Sequence, residues 1–431
     1  MALVMSNIII NLVRSQQFKF ALMQGNTKLA GKILQEIQKS GAKLSWLEKL
    51  FRDKRQFESY TQQYKKETAN LNTKLSEVLQ QDNFLLKPDI KLIEFIYEKF
   101  NLIEHDENKL QCTGIDRDVF DDLEIQLVEF LQEEFSRIPN EKLVIKLEDA
   151  LEDINALKAG KDPDYRFSLT PHVYFMKFFL ENVYCVYLAW FFIYQAGLLP
   201  TKVNILDIAA GPATVAYSLA LFLETANFFY LPQIHISYFS LEKQDAFQYR
   251  GLQFWRRYIE SRQAAINTFY RFVTEDILAY DPSDKNIPKN FFDFVVVSHC
   301  FFTDSFNRSK AHNNYKQIFN FCLKNDGYVL LVIQDKKLFR IYDAYKTEDS
   351  EQEKKVVKKF ITELGLELVW YKYLTSTGFR TLFGVAEFAK FAKEELPAQK
   401  YISLLLQKYL AQKHQSSYTL DDYVILAKKS S

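Results

Sequence analysis

The chain has 431 residues, about half of them apolar, and this length predicts two domains, or one domain with a large helical extension. Its 55 basic and 54 acidic side chains nearly balance and no basic stripe stands out, so a nucleic-acid partner is not favoured. The four cysteines are widely spaced and form no CxxC pair, so they indicate neither a metal site nor a disulfide framework.

Phenylalanine and tyrosine are abundant, with 38 and 25 copies, whereas glycine and proline number only 12 and 10. Few glycines and prolines predict long helices and few tight turns. The aromatic excess has two interpretations, an apolar substrate pocket or a codon bias that raises several residue types together. The N-terminus lacks the pattern of a signal peptide, which predicts a cytoplasmic protein.

Residues 1–160 are predicted to form a largely helical N-terminal domain. One or two helices are expected in the first 40 residues. Ser45 and Glu48 then have the spacing of a capping box, and apolar residues at helical spacing continue this helix to about residue 80. So long a helix indicates packing along another helix or another subunit, so the N-terminal helices are a candidate homodimer interface.

Pro88 opens the next predicted helix, and two short strand-like pieces follow at 102–104 and 109–112. A helix followed by a hairpin is typical of a winged-helix unit. Further helices are expected at 118–137 and 141–158. The polar segment Ala159–Tyr165 carries both glycine and proline and is the expected domain boundary, with the second domain at 165–431.

The run Val183–Leu199 has no charged residue and, at 17 residues, reaches the lower limit for crossing a bilayer. Gln195 and three tyrosines interrupt it, and a strand-like segment follows closely. These features favour a buried helix packed on a sheet over a membrane span.

After residue 200, short apolar runs alternate with helical segments, which predicts βαβ units and a mostly parallel sheet. The expected strands are Val203–Ile208, His235–Leu241, Tyr270–Thr274, Phe292–Val297, Tyr328–Ile333, Leu366–Tyr373 and Tyr423–Ala427. The expected helices lie at about 213–229, 244–261, 309–323 and 353–364, and a mostly helical insertion is expected at 378–417.

The first of these strands leads into Asp207-Ile-Ala-Ala-Gly-Pro-Ala213. This segment resembles the Asp-x-Gly-x-Gly-x-Gly loop of class I S-adenosylmethionine (SAM)-dependent methyltransferases, and residues 200–340 resemble the core of that Rossmann-like α/β family. Small residues allow the cofactor to approach the backbone, which implies a role for Ala209, Gly211 and Pro212. Alanines replace two of the family's glycines, and they fit a tight loop if their φ stays negative. The resemblance places Asp207 near the methionine amino end of SAM, directly or through water; its structural alternative is a helix cap.

Two further acids follow strands in the order of the family. Glu242 ends the second strand, and the resemblance implies that it binds both ribose hydroxyls, since a carboxylate can accept two hydrogen bonds. Asp276 follows the third strand and would accept from the adenine amino group, while Ile277 would pack on the ring. The rival cofactor, NAD, requires a G-x-G-x-x-G motif that this chain lacks.

The fourth strand ends at Ser298-His299-Cys300-Phe301, where base-methylating enzymes often carry Asn/Asp-Pro-Pro-Tyr/Phe. His299 is the candidate general base, because imidazole takes up protons near neutral pH. Its structural alternative is a histidine hydrogen-bonded at a strand end. Cys300 is expected to be a buried thiol rather than a nucleophile.

The sequence therefore predicts a SAM-dependent methyltransferase, with O-methylation of a small or aromatic, apolar molecule as the first hypothesis. Two alternatives stay open. One is a non-catalytic binding or assembly protein on the same fold, and the other is an RNA- or ribosome-associated methyltransferase.

Overall fold

The computed structural model describes residues 2–24, 26–40, 84–155, 163, 165, 167–229, 231–232, 234–262, 266–281, 286–381 and 383–430. The chain forms two compact units, Met1–Asp82 and Asn83–Ser431. The capping box at Ser45 and the long helix expected to residue 80 lie outside the described residues. The boundary expected between 160 and 165 lies within the second unit, because strands from both sides of it belong to one sheet.

The described part of the first unit is a helical hairpin. Helices α1 (Ala2–Met23) and α2 (Thr27–Lys39) confirm the helices expected in the first 40 residues. The Asn26 side chain accepts a hydrogen bond from the Leu29 amide (3.0 Å) at the start of α2. The two helices bury a small apolar cluster, which comprises Phe18, Ala21, Ala30, Ile33, Leu34 and Ile37.

A nine-stranded sheet forms the centre of the described second unit, in the order β1-β2-β8-β9-β7-β6-β3-β4-β5. The strands are β1 (Leu102–Glu104), β2 (Lys109–Cys112), β3 (Lys202–Ile208), β4 (Ile234–Glu242), β5 (Ile266–Thr274), β6 (Phe292–Ser298), β7 (Leu323–Gln334), β8 (Leu366–Thr375) and β9 (Asp421–Lys429). All seven strands expected after residue 200 are therefore confirmed, and β5 and β7 begin four and five residues earlier than expected.

Strands β5-β4-β3-β6-β7 pair in parallel, in the order of the first five strands of a Rossmann fold. Strand β9 runs antiparallel between β7 and β8. Apolar runs such as Val295–Val297 are buried because helices cover both faces of the sheet. This is the mostly parallel, Rossmann-like sheet that the sequence predicts.

Helices flank the sheet and confirm the expected pattern to within a few residues. They are α3 (Ile90–Lys99), α4 (Arg117–Ser136), α5 (Asn140–Asn155), α6 (Thr170–Tyr174), α7 (Leu180–Gln195), α8 (Thr214–Asn227), α9 (Asp245–Tyr258), α10 (Ser305–Cys322), α11 (Asp335–Ile341), α12 (Ser350–Glu363), α13 (Val385–Glu395) and α14 (Lys400–Leu410). A π-helical turn, Phe175–Phe179, joins α6 to α7. The expected helical insertion contains α13 and α14.

The expectation of a winged-helix unit does not hold. The hairpin of β1 and β2 forms where expected, but β2 pairs in parallel with β8, with Leu110 opposite Leu374. The hairpin therefore extends the main sheet at its edge, and the backbone groups of β2 that face β8 form hydrogen bonds with that strand.

The charge-free run at 183–199 is a core helix, as expected. Among the described residues, the helix Thr170–Gln195 is long and apolar enough to cross a membrane, but 78% of its most apolar window is buried inside the fold. In α7, the Trp190 indole donates to the Val215 carbonyl (3.2 Å) and lies against Phe294 of β6, with ring centroids 5.4 Å apart. Burial of this helix on the sheet accounts for its apolar composition.

Candidate cofactor-binding site

The candidate site lies at the carboxyl edge of the sheet, beside the end of β3. Strand β3 pairs with β4 on one side and with β6 on the other. The strands that follow β3 in the chain are therefore added first on one side of it and then on the other, so the strand order reverses at β3. In open α/β sheets, ligands bind outside the carboxyl ends of the strands at such a switch point. The loop from Asp207 to Ala213 lies at this position.

Three residues of the loop have left-handed backbone conformations: Ala209 (φ 54°), Gly211 (φ 54°) and Ala213 (φ 67°). The condition on which the alanines were expected to fit a tight loop, a negative φ, is therefore not met. A left-handed alanine costs roughly 1–2 kcal/mol because its Cβ approaches the following carbonyl oxygen. The alanines thus keep the backbone path that glycine allows, at a cost in stability.

The loop ends at the N-terminus of α8, which has no side-chain cap. Thr214, the first residue of α8, is 6% exposed, and its hydroxyl has no hydrogen-bond partner among the described residues. Helix N-termini attract anionic groups, since their first backbone amides point outward. The N-terminus of α8 beside the loop is therefore a candidate position for an anionic group, and the Thr214 hydroxyl is buried next to it.

Glu242 holds the loop against the end of β4. Its Oε2 accepts a hydrogen bond from the Gly211 amide (2.8 Å), and its Oε1 accepts from the Gln244 amide (2.9 Å). The side chain is buried, which raises its pKa, and the backbone donors oppose that shift. The space that a Cβ on Gly211 would enter is open. The structure therefore brings together two of the residues that the sequence selects.

Asp207 bonds within the fold. It is 1% exposed and its Oδ2 accepts a hydrogen bond from the Tyr238 hydroxyl. Burial raises the pKa of Asp207 to about 8, and the nearby Glu242 adds to that shift. Asp207 therefore ties β3 to β4 beneath the loop, and its carboxyl group does not face the open edge of the sheet.

Asp276 and Ile277 follow β5, as expected. Asp276 accepts from the Leu278 amide (2.9 Å) through Oδ1 and pairs with Lys243 Nζ (2.9 Å) through Oδ2. Ile277 is 5% exposed, and its carbonyl accepts from the Asn314 side chain (2.6 Å). Since Lys243 follows Glu242 directly, this ion pair joins the ends of β4 and β5 beside the loop.

Gly251 supports the loop from below, a role that the sequence analysis missed. A Cβ at this position of α9 would lie 2.4 Å from the Pro212 carbonyl oxygen. The Gly251 carbonyl also accepts from the Tyr217 hydroxyl of α8 (2.8 Å). A glycine inside an amphipathic helix is the signal that would have indicated close packing here.

An aromatic cluster, comprising Tyr165, Tyr174, Phe178 and Phe247, adjoins the site. Tyr174 lies 5.7 Å from Phe178 and 5.3 Å from Phe247, and Phe247 lies 5.5 Å from Tyr165, as ring centroids. Burial raises the pKa of Tyr174, and the charges of Glu242, Asp207 and Cys300 raise it further. Phe247 lies near the start of α9, which follows β4, so the cluster that includes Tyr174 adjoins the end of β4. Tyr174 precedes the π-helical turn directly, and such turns are frequent at functional sites.

His299 follows β6 in a left-handed conformation (φ 60°), and its amide donates to the Val332 carbonyl (2.8 Å). Its Nδ1 lies 2.9 Å from Ser298 Oγ, and its Nε2 lies 3.1 Å from Asp422 Oδ1. Asp422 lies on β9, 123 residues further along the chain, so the sequence analysis did not connect it with His299. Both ring nitrogens of the candidate base thus contact polar side chains.

No group of three or more His, Cys, Asp or Glu side chains is placed to hold a metal ion in the part of the chain that the structure describes. The strand ends instead present carboxylates, hydroxyls and backbone amides, which suit an organic ligand with polar groups.

No family model matches this sequence, and no curated protein matches it. Several solved structures of methyltransferases are similar to it at 9–11% identity. A 16S rRNA adenine methyltransferase from Catenulisporales acidiphilia has a TM-score of 0.30 and 11% identity, over 53% of this chain and 88% of that one. The geranyl diphosphate C-methyltransferase of Streptomyces coelicolor has a TM-score of 0.28 and 9% identity, over 53% and 70% of the two chains. Loganic acid methyltransferase has a TM-score of 0.28 and 11% identity, over 53% and 85%.

The strand order, the parallel pairing around β3 and the loop before α8 are properties of this chain itself. Together they give the chain a mostly parallel, Rossmann-like α/β fold.

Proposed function

We propose that this protein is a methyltransferase that binds SAM on the loop Asp207–Ala213. The observation that carries the proposal is the hydrogen bond from the Gly211 amide to the Glu242 carboxylate. This bond places the acid of β4 beside an open stretch of loop backbone. A carboxylate has about four lone-pair positions, so Glu242, which already accepts from backbone amides, retains capacity to accept from a ribose hydroxyl.

The other groups around the loop fit the rest of the cofactor. The N-terminus of α8 suits its carboxylate, and Asp276 and Ile277 suit adenine. When bound, SAM supplies an electrophilic methyl group on a sulfonium. The protein then needs to align an acceptor and, where required, take its proton.

For the acceptor, we propose a small, aromatic or apolar molecule that is methylated on oxygen, with His299 as the general base. The aromatic cluster around Tyr174 supplies apolar surface close to the end of β4. His299 lies at the end of β6, the strand that pairs directly with β3.

One observation favours the alternative of a non-catalytic binding protein on the same fold. The Asp207 carboxyl group, which the family resemblance assigns to the cofactor, is occupied by Tyr238 and buried. Cofactor binding separates the two proposals.

The test is a calorimetric titration of the full chain with SAM and with its demethylated product. We expect both to bind, and we expect Glu242→Ala to abolish binding while circular dichroism shows an intact fold. Asp349→Ala is the matched control, because Asp349 also accepts a backbone amide (Glu351, 2.9 Å) but caps α12. Absence of binding by the unmodified chain would overturn the proposal, and unchanged affinity in Glu242→Ala would overturn the site.

A further inference from the structure

The contacts of His299 define which of its ring nitrogens carries the proton. Strand β7 lies between β6 and β9, so the imidazole crosses the end of β7 to reach Asp422. His299 has a left-handed backbone conformation, and its amide donates a hydrogen bond to the Val332 carbonyl of β7. Strained conformations of this kind often occur at functional sites.

An ionised carboxylate only accepts hydrogen bonds, so the Nε2 that faces Asp422 must carry hydrogen. In the neutral ring Nδ1 is then the acceptor, and the Ser298 hydroxyl donates to it. The His299 and Asp422 side chains are 18% and 12% exposed, so both are largely shielded from water. Removal from water strengthens the hydrogen bond and the charge interaction between them.

Ser298, which contacts His299 Nδ1, lies near the proposed cofactor loop. Val297 of β6 pairs with Ile208 of β3, so the next residues along, Ser298 and Ala209, are level with each other. Ser298 is half-buried. Ser298 therefore lies at the strand end beside the loop on which the methyl donor is proposed to bind, and its hydroxyl contacts His299 Nδ1.

Other charged groups near the contact between His299 and Asp422 come from neighbouring elements. Glu181 of α7 accepts from Thr419, and burial raises its pKa to about 7. On α11, burial raises the pKa of Asp335 to about 7, and Asp335 pairs with Lys346 (2.7 Å). Asp421 also pairs with Lys346 (3.3 Å). Of these four acids, Asp422 is the one whose carboxylate contacts His299.

We propose that Asp422 is a positioning residue that fixes the tautomer of His299, and that Ser298 and His299 relay the proton of a hydroxyl acceptor. The inference rests on the proposed function and assigns it an O–H substrate. As the acceptor oxygen forms its bond to the methyl carbon, the C–S bond breaks and its electron pair stays on sulfur. The acceptor proton passes to Ser298 Oγ, the Ser298 proton passes to His299 Nδ1, and Asp422 stabilises the resulting imidazolium.

The test is the nitrogen NMR spectrum of the full chain labelled in its six histidines, at an alkaline pH where imidazoles are neutral. Loss of one signal in His299→Gln assigns the residue. We expect a single tautomer with hydrogen on Nε2. Asp422→Leu should shift the tautomer ratio by about tenfold, because the acceptor is lost. Asp422→Glu should restore part of the preference, and the neighbouring Asp421→Asn should leave it unchanged.

A reactivity measurement tests the Ser298 end. Ser298→Ala uncovers the Nδ1 lone pair, so carbethoxylation of His299 by diethyl pyrocarbonate, followed by mass spectrometry, should accelerate several-fold. Hydrogen on Nδ1 in the unmodified chain, or an unchanged rate in Ser298→Ala, would overturn the relay. A SAM titration of Asp422→Leu separates the two proposals: affinity should stay within about threefold of the unmodified chain. Loss of binding in every protein would overturn the proposed function and leave the tautomer result standing.

Discussion

At the carboxyl edge of the sheet, Glu242 and Asp207 on the β3–β4 side bond to backbone amides and a hydroxyl, whereas Glu353 and Asp106 on the β8–β9 side pair with a buried cation. Glu242 accepts from two amides, next to open space at Gly211. On the other side, Arg380 is 3% exposed and pairs with Glu353 and Asp106 (both 2.7 Å). The first arrangement leaves room and hydrogen-bonding capacity for a ligand, and the second holds the edge hairpin to the fold.

The largest expected loss of stability comes from a substitution on the β8–β9 side. Arg380→Met leaves Glu353 and Asp106 without their cation, so the free energy of unfolding should fall by about 3–5 kcal/mol. Urea denaturation measures this change. Adding Glu353→Gln should recover part of the loss, because it removes one uncompensated charge.

Arg257→Met is the matched control for Arg380→Met. Arg257 pairs with Glu133 and Glu129 at the surface of α9 and is 32% exposed. Exposed ion pairs contribute at most about 1 kcal/mol, so this variant should remain near the stability of the unmodified chain. Similar losses in the two variants would contradict the distinction between a buried network and surface pairs.

The second largest loss of stability is expected from a substitution on the β3–β4 side. In an open helix, glycine to alanine stabilises by roughly 1 kcal/mol. Gly251→Ala should instead destabilise by about 1–3 kcal/mol, because the new Cβ meets the Pro212 carbonyl. SAM affinity should fall about tenfold as the loop shifts. A gain in stability with unchanged affinity would show that α9 does not support the loop.

The smallest effect is the pH dependence that Asp207 contributes. Its folded pKa is raised to about 8 from an ordinary value of 3.8, so between these pH values the folded state holds a proton that the unfolded state has released. Stability should therefore decrease as pH rises through this range. Asp207→Asn should remove part of that slope, measured as urea midpoints between roughly pH 5 and pH 8.5. An unchanged slope would contradict a buried, protonated Asp207.

Much of the fold could be predicted from the sequence, because apolar runs after residue 200 have the length and spacing of buried parallel strands. The order of acids after these strands also placed Glu242 and Asp276 at one edge. The hairpin's pairing with β8, the contact of Asp422 with His299 and the support of Pro212 by Gly251 could not be predicted. Each depends on segments far apart in the chain, whose meeting is set by strand order rather than by local pattern.

The most direct test of the central claim is hydrogen–deuterium exchange of the full chain with and without saturating demethylated SAM. We predict slower exchange in the loop 209–214 and in the segment 242–247, with unchanged exchange around Arg380 and Glu353. Protection confined to the β8–β9 side, or no protection at either place, would contradict the assignment of the cofactor site to the end of β3.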